Sequence, residues 1–290
     1  MASPADVEVV RVFPNGKGGG NPAPIVLDAH CFTDSDMRTI ATRFGHESGF
    51  IFPADDDRNH FKFRFFVPNH EMEMCGHATI GALWLLRARG RVSVGRYRIE
   101  TLSGIVTSDV PCSGPIAISQ PVGRTGDLCA PETSSVLGVL GLEKTDLSCE
   151  RLINASTSRT KTLVPIASLN RLHSIAPDFE QMKDLCERIG STGLYPFAAH
   201  GTPGTFSARQ FPRSSGYPED AATGIAATAL TYGLLDYGSI GPRSSVTVFQ
   251  GEAMGRPSRI DVALYEDGCI LTGDCERAEI SADRTKQVVS

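Results

Sequence analysis

Three short segments carry side chains able to move a proton or hold an anion. Cys75-Gly76-His77-Ala78-Thr79 stands where a turn becomes an apolar helix. The free amides at a helix N-terminus attract carboxylates, and glycine there lets a ligand approach the backbone. Tyr217-Pro218-Glu219-Asp220-Ala221-Ala222-Thr223-Gly224 occupies the matching place before a second apolar helix. Gly45-His46-Glu47-Ser48-Gly49-Phe50 sets one carboxylate in an apolar, strand-like stretch, where burial would raise its pKa toward the range a proton-transfer group needs. Each also has a plainer reading on local sequence. The C-G-H run serves as a helix cap with a buried thiol, Asp220 as an N-cap, Glu219 as an exposed carboxylate, and Glu47 as a strand-edge side chain facing water.

Other chemistries are absent from the motifs. No G-x-x-x-x-G-K-[ST] or G-x-G-x-x-G loop is present, and no G-x-S-x-G elbow, which sets aside nucleotide binding and serine hydrolysis. Eight scattered cysteines form no C-x-x-C pair, and His46-Glu47 lacks the second histidine of a helical metal site, so no metal and no disulfide framework is expected. The net charge of −5 argues against a nucleic-acid partner. No stretch approaches about 18 uninterrupted apolar residues, and the N-terminus lacks a basic segment followed by an apolar run; a cytosolic protein without membrane contact is expected.

The elements that must position these residues are read from periodicity. A Val-rich strand opens at Val7, a Gly/Pro loop runs from Pro14 to Pro22, and a strand is expected from Pro24 to Leu27. Cap-type residues precede a short helix over 37–44 that should end near Gly45. Strands follow over 46–52 and 61–67, then the apolar helix after Cys75, then a hairpin around Ser103-Gly104. Pro121 to Asp127 is the best linker candidate, dividing the chain into halves over 1–122 and 123–290. In the second half the order repeats, ending in an apolar helix from Thr223 to Leu234 and strands near 260–264 and 270–272 that could return to the first half. An α+β architecture of two similar halves, each with strands around one buried helix, is therefore expected.

Taken together, the segments resemble the PhzF-like family, named for the phenazine-biosynthesis isomerase, within the diaminopimelate-epimerase fold. The matching pieces are Val12-Phe13 with Gly20-Asn21-Pro22-Ala23, His46-Glu47-Ser48-Gly49-Phe50, Cys75-Gly76-His77-Ala78-Thr79, Arg209-Gln210-Phe211-Pro212, Glu219-Asp220-Ala221-Ala222-Thr223-Gly224 and Gln250-Gly251 with Met254 to Ser258. The resemblance implies two β-barrel-like domains, each wrapped around a central helix, with an active site in the cleft between them. It implies that Glu47, His77 and Asp220 are catalytic; from the helix starts themselves, Cys75, Gly76, Ala78, Thr223 and Gly224 are expected to contact a small carboxylate-bearing substrate, with Cys75 as a buried thiol beside His77. It further implies a cofactor-independent proton shift and a homodimer. Two positions depart from the pattern: Ala221 stands where the motif has proline, and Ile225 where a serine is common. The fold's racemase branch uses two opposed cysteines; Cys75 matches one, and the Glu219 to Gly224 segment has none for the other. A metabolite-binding protein without catalysis is the remaining alternative, and would not need Glu47.

Overall fold

A computed structural model of the chain describes residues 7–278. The valine run forms β1 (Val7–Val12), which pairs antiparallel with β2 (Asn21–Val26). β2 starts earlier than the expected Pro24, because Asn21 already pairs with Val12 once the glycine loop has turned. Helix α1 (Asp34–Phe44) begins with a capping box between Thr33 and Asp36 and ends at Gly45, whose left-handed backbone glycine adopts without steric cost. Strand β3 (Ser48–Phe52) begins only after Glu47, so Glu47 lies in the turn before the strand and not within it. Next come β4 (Phe61–Phe66), β5 (Glu71–Met72), helix α2 (Gly76–Ala88), β6 (Gly95–Thr101), β7 (Gly104–Val110) and β8 (Ile116–Gln120).

The stretch read as a linker is one only at its start. Arg124–Asp127 forms β9, paired antiparallel with β10 (Ile153–Ser156). Helix α3 (Ala130–Leu140) lies between them, and β11 (Thr160–Pro165), α4 (Leu169–Ser174) and α5 (Phe179–Arg188) follow. The remaining elements are β12 (Gly193–Ala199), β13 (Thr205–Ala208), β14 (Phe211–Pro212), α6 (Gly224–Asp236), β15 (Ser245–Gln250), β16 (Ser258–Tyr265), β17 (Gly268–Gly273) and β18 (Cys275–Arg277). Among the described residues all the strands join one curled sheet, and with the helices packed on it the architecture is α+β. No described helix is long and apolar enough to cross a membrane.

Helices α2 and α6 are apolar on nearly every face, and a helix of that kind is stable in water only inside a core. α2 packs on β1, β2, β3 and β8, and α6 on β9, β10, β11 and β16. Each buried Leu or Ile on them, such as Leu83, Leu86 and Leu230, stabilises the fold by roughly 1.5–3 kcal/mol. The last strands tie the sheet together: β17 pairs with β8 and β16, and β18 pairs with β1. Leu271 of β17 then lies against the first residues of both buried helices. A Cβ added at Gly76 would stand 3.1 Å from its Cδ2, and one at Gly224 would collide with it. Two helix N-termini therefore meet at one place.

Candidate active site

Glu47, Cys75 and His77 converge where α2 begins. Cys75 is the N-cap of α2, and its thiol donates to Glu47 Oε2 at 3.3 Å. His77 Nδ1 lies 3.3 Å from Cys75 Sγ and 3.4 Å from Glu47 Oε2. Burial pushes the Cys75 thiol well above its ordinary pKa, and the Glu47 charge adds to the rise. Cys75 is thus a neutral hydrogen-bond donor and not a thiolate base. Burial also holds the His77 pKa down, keeping the imidazole neutral, and its Nε2 is buried without a hydrogen-bond partner. The Glu47 side chain retains 12% exposure and faces the cleft.

Asp220 meets this cluster from the second helix. It is not the N-cap of α6; that position belongs to Thr223, whose hydroxyl donates to Asp220 Oδ2. Asn21 Nδ2 donates to Asp220 Oδ1 at 2.7 Å and to the Ala222 carbonyl at 2.9 Å. Gln250 completes the support: its Nε2 donates to the Asp220 carbonyl at 2.7 Å, while its Oε1 accepts from the Tyr195 hydroxyl at 3.0 Å. Burial raises the Asp220 pKa, and the nearby Glu47 charge raises it further. Glu219 is not an exposed carboxylate. It is mostly buried in a bidentate pair with Arg209, at 2.8 and 2.7 Å, and Arg209 also donates to the carbonyls of Leu172, His173 and Ile175. That pair anchors the loop that delivers Asp220.

Glu47, the start of α2 and Asp220 border one cleft, about 590 Å³ of space counted out to its open mouth. Glu47, Cys75, Gly76, His77, Asp220, Thr223 and Gly224 line it together. Ala78 does not; its methyl is buried, and a Cβ added at Gly49 would stand 3.4 Å from it. Among the further lining residues that local sequence did not single out, Arg159, Lys161, Gln210 and Arg213 carry cationic or amide side chains. The available signals were a lysine opening the otherwise uncharged run Thr160 to Ile166 and the polar pair inside Arg209-Gln210-Phe211-Pro212. Glu47, Cys75 and His77 hold their ligand-type atoms within 4.8 Å of one another, a spacing that suits a metal ion as well as a proton relay.

A family model described as phenazine biosynthesis-like protein matches residues 10–274. The chain belongs to that family. An uncharacterized isomerase of Clostridium acetobutylicum is 31% identical over 266 residues, covering 88% of each chain. Another, from Bacillus subtilis, is 28% identical over 280 residues, covering 91% of this chain and 92% of the relative. Among solved structures, a PhzF-family phenazine biosynthesis protein of Bacillus anthracis superposes with a TM-score of 0.84 at 24% identity, covering 94% of this chain and 96% of its own. A hydroxyproline epimerase of Agrobacterium vitis shares the fold at a TM-score of 0.68 and 12% identity, covering 96% of this chain and 92% of its own. With family and relatives in agreement, this phenazine biosynthesis-like protein is an isomerase. Its cleft differs from a two-thiol arrangement, since Cys75 is the one cysteine among the described lining residues.

Proposed function

We propose that this isomerase moves a proton on a small carboxylate-bearing metabolite, with Glu47 as the acid/base and no cofactor. The observation that carries the proposal is the Glu47 carboxylate, shielded from bulk water yet facing the cleft, with the Cys75 thiol donating to it and His77 beside it. A carboxylate so placed takes a proton from an activated carbon and returns it elsewhere on the same molecule, a task that demands orientation and a matched pKa. The amides at the starts of α2 and α6, around Gly76, His77 and Gly224, with Thr223 fixed by its own amide donating to Gln250 Oε1 at 3.3 Å, hold the substrate carboxylate and draw electron density from the adjacent carbon. Asp220, kept in place by Asn21 and Thr223, and neutral His77 position the substrate beside Glu47. Ile225 lines the cleft where a serine is common in the family, which removes a hydroxyl and points to a substrate other than the phenazine precursor. A thiol/thiolate racemase is disfavoured, because the Cys75 thiol is held protonated and has no partner cysteine across the cleft. The proposal includes a cytoplasmic homodimer, which light scattering and cell fractionation would check.

The test is deuterium incorporation, followed by NMR in heavy water, into a panel of unsaturated and amino carboxylates. Exchange by the wild type that disappears in Glu47→Gln supports the assignment. Exchange that persists in Glu47→Gln removes Glu47 from the role of base.

A further inference from the structure

Lys161 is 5% exposed and lines the cleft, yet its ammonium group has no hydrogen-bond or ion-pair partner among the described residues. Arg159 and Arg213, both half-buried, line the same cleft and are also unpaired there. Several other arginines have carboxylate partners. Arg64 pairs with Glu71 and Asp34, Arg151 with Asp127 and Asp236, and Arg209 with Glu219. Backbone bonds gather the unpaired cations onto one wall: Thr192 donates to the Thr160 carbonyl at 2.9 Å, and Arg213 donates to the Thr192 carbonyl at 3.1 Å. Gln210, 1% exposed, adds a side-chain amide whose nitrogen and oxygen both lack partners.

Glu47 and Asp220 are within electrostatic reach of Lys161 but do not bond to it. Their oxygens are engaged by Cys75, Asn21 and Thr223. Burial, with the Arg159 charge adding to it, brings the Lys161 pKa down to about 8 despite the pull of Glu47 and Asp220, and a bound anion would offset that cost. One substrate carboxylate cannot satisfy every donor present. The three cations carry roughly a dozen N–H donors, whereas a carboxylate offers about four acceptor positions, and the helix-end amides of α2 and α6 come from other elements and suit a carboxylate of their own.

We infer that the cleft grips its substrate at two anionic points, the second being the wall of Arg159, Lys161 and Arg213, which takes a carboxylate or phosphate distal to the reacting carbon. The inference rests on the isomerase reading for its first point, the carboxylate at the helix ends. The substrate is then a dianion, and the cation wall decides which end of it faces Glu47.

Calorimetric titration of the full chain with glutarate, its monoamide and 3-phosphonopropionate tests this, comparing wild type with Lys161→Met and, on a more exposed side chain, Arg213→Gln. At least one dianion is expected to bind about tenfold or more tighter than the monoamide, the scale of one charge-assisted contact. That preference should shrink several-fold in either variant while monoamide binding is retained. Preference for glutarate identifies a carboxylate as the second group, and preference for the phosphonate a phosphate. Equal affinities in the wild type, a preference untouched by both substitutions, or no binding of any probe would overturn the inference. Deuterium exchange separates the two readings. Glu47-dependent exchange without a dianion preference removes only the second anion point, whereas a dianion preference without exchange on any panel compound removes the isomerase mechanism and leaves the cation wall.

Discussion

The side-chain amide of Asn21 donates to Asp220 Oδ1 at 2.7 Å, joining residues 199 positions apart in the chain. Its donor stabilises the ionised carboxylate, against the burial and the Glu47 charge that raise the Asp220 pKa. Removing it in Asn21→Ala should cost about 1–3 kcal/mol, the penalty for a buried carboxylate oxygen left without a donor. A folded-state pKa above the ordinary value means that folding favours protonated Asp220. Its contribution to stability therefore falls as pH rises from about 4 to about 6, and Asn21→Ala, by raising the folded-state pKa, should extend that fall to higher pH. Urea denaturation at several pH values checks the sign; a variant as stable as wild type at neutral pH would show that the contact carries no energy.

Cys75 and Glu47 touch but should behave differently when replaced. If Glu47 is the base, Glu47→Gln should lower exchange by about 100-fold or more, the usual contribution of a general base. Cys75→Ala removes only a donor and should lose far less. The buried, protonated thiol should also resist iodoacetamide at neutral pH in the folded protein. Equal losses in both variants would place the thiol in the proton path.

Lys161 should trade stability for binding. Its folded-state pKa of about 8 lies below the ordinary 10.5, so the charged form costs stability. That cost is present in full below pH 8 and fades as pH climbs from 8 to 10.5, where the unfolded chain also loses the proton. Lys161→Met is accordingly expected to be more stable at pH 7 by about 1–3 kcal/mol, with the gap closing above pH 8. Thermal melts across that range measure it, and a destabilised variant at pH 7 would mean that the ammonium is already compensated.

Gly251 supports the Asp220 loop from beneath. Its φ of 77° lies in the left-handed region, and a Cβ there would collide with the carbonyls of Arg256 and Ala221. Gly251→Ala should destabilise by about 2 kcal/mol or more and reduce activity through the displaced loop. A variant with unchanged melting temperature and exchange rate would show that the loop tolerates the shift.

The Glu47, Cys75 and His77 cluster has metal-ligand spacing, so metal dependence can be measured directly. On the proton-transfer reading, dialysis against a chelator leaves exchange unchanged. Added zinc should inhibit by occupying the base, because its tetrahedral ligand preference matches oxygen, sulfur and nitrogen donors. Activity lost on chelation and restored by a metal would overturn the metal-free mechanism.

What the sequence determined by itself was local. Thr33 and Gly45 bound α1, period-two alternation marks β6 and β7, and the all-round apolar character of α2 and α6 requires burial, because capping, alternation and hydrophobicity act over a few residues. The motifs around Glu47, His77 and Asp220 were visible for the same reason. Tertiary structure decided how they meet: β17 joins β8, β18 joins β1, and Leu271 comes to lie under both helix N-termini. It also decided that Ala78 faces away, that Glu219 is an anchor for Arg209, and that Lys161, unremarkable in its strand, lines the cleft without a partner. Such facts depend on contacts between residues from ten to some 200 positions apart, where the chemistry of one side chain is set by neighbours that its own stretch of sequence does not contain.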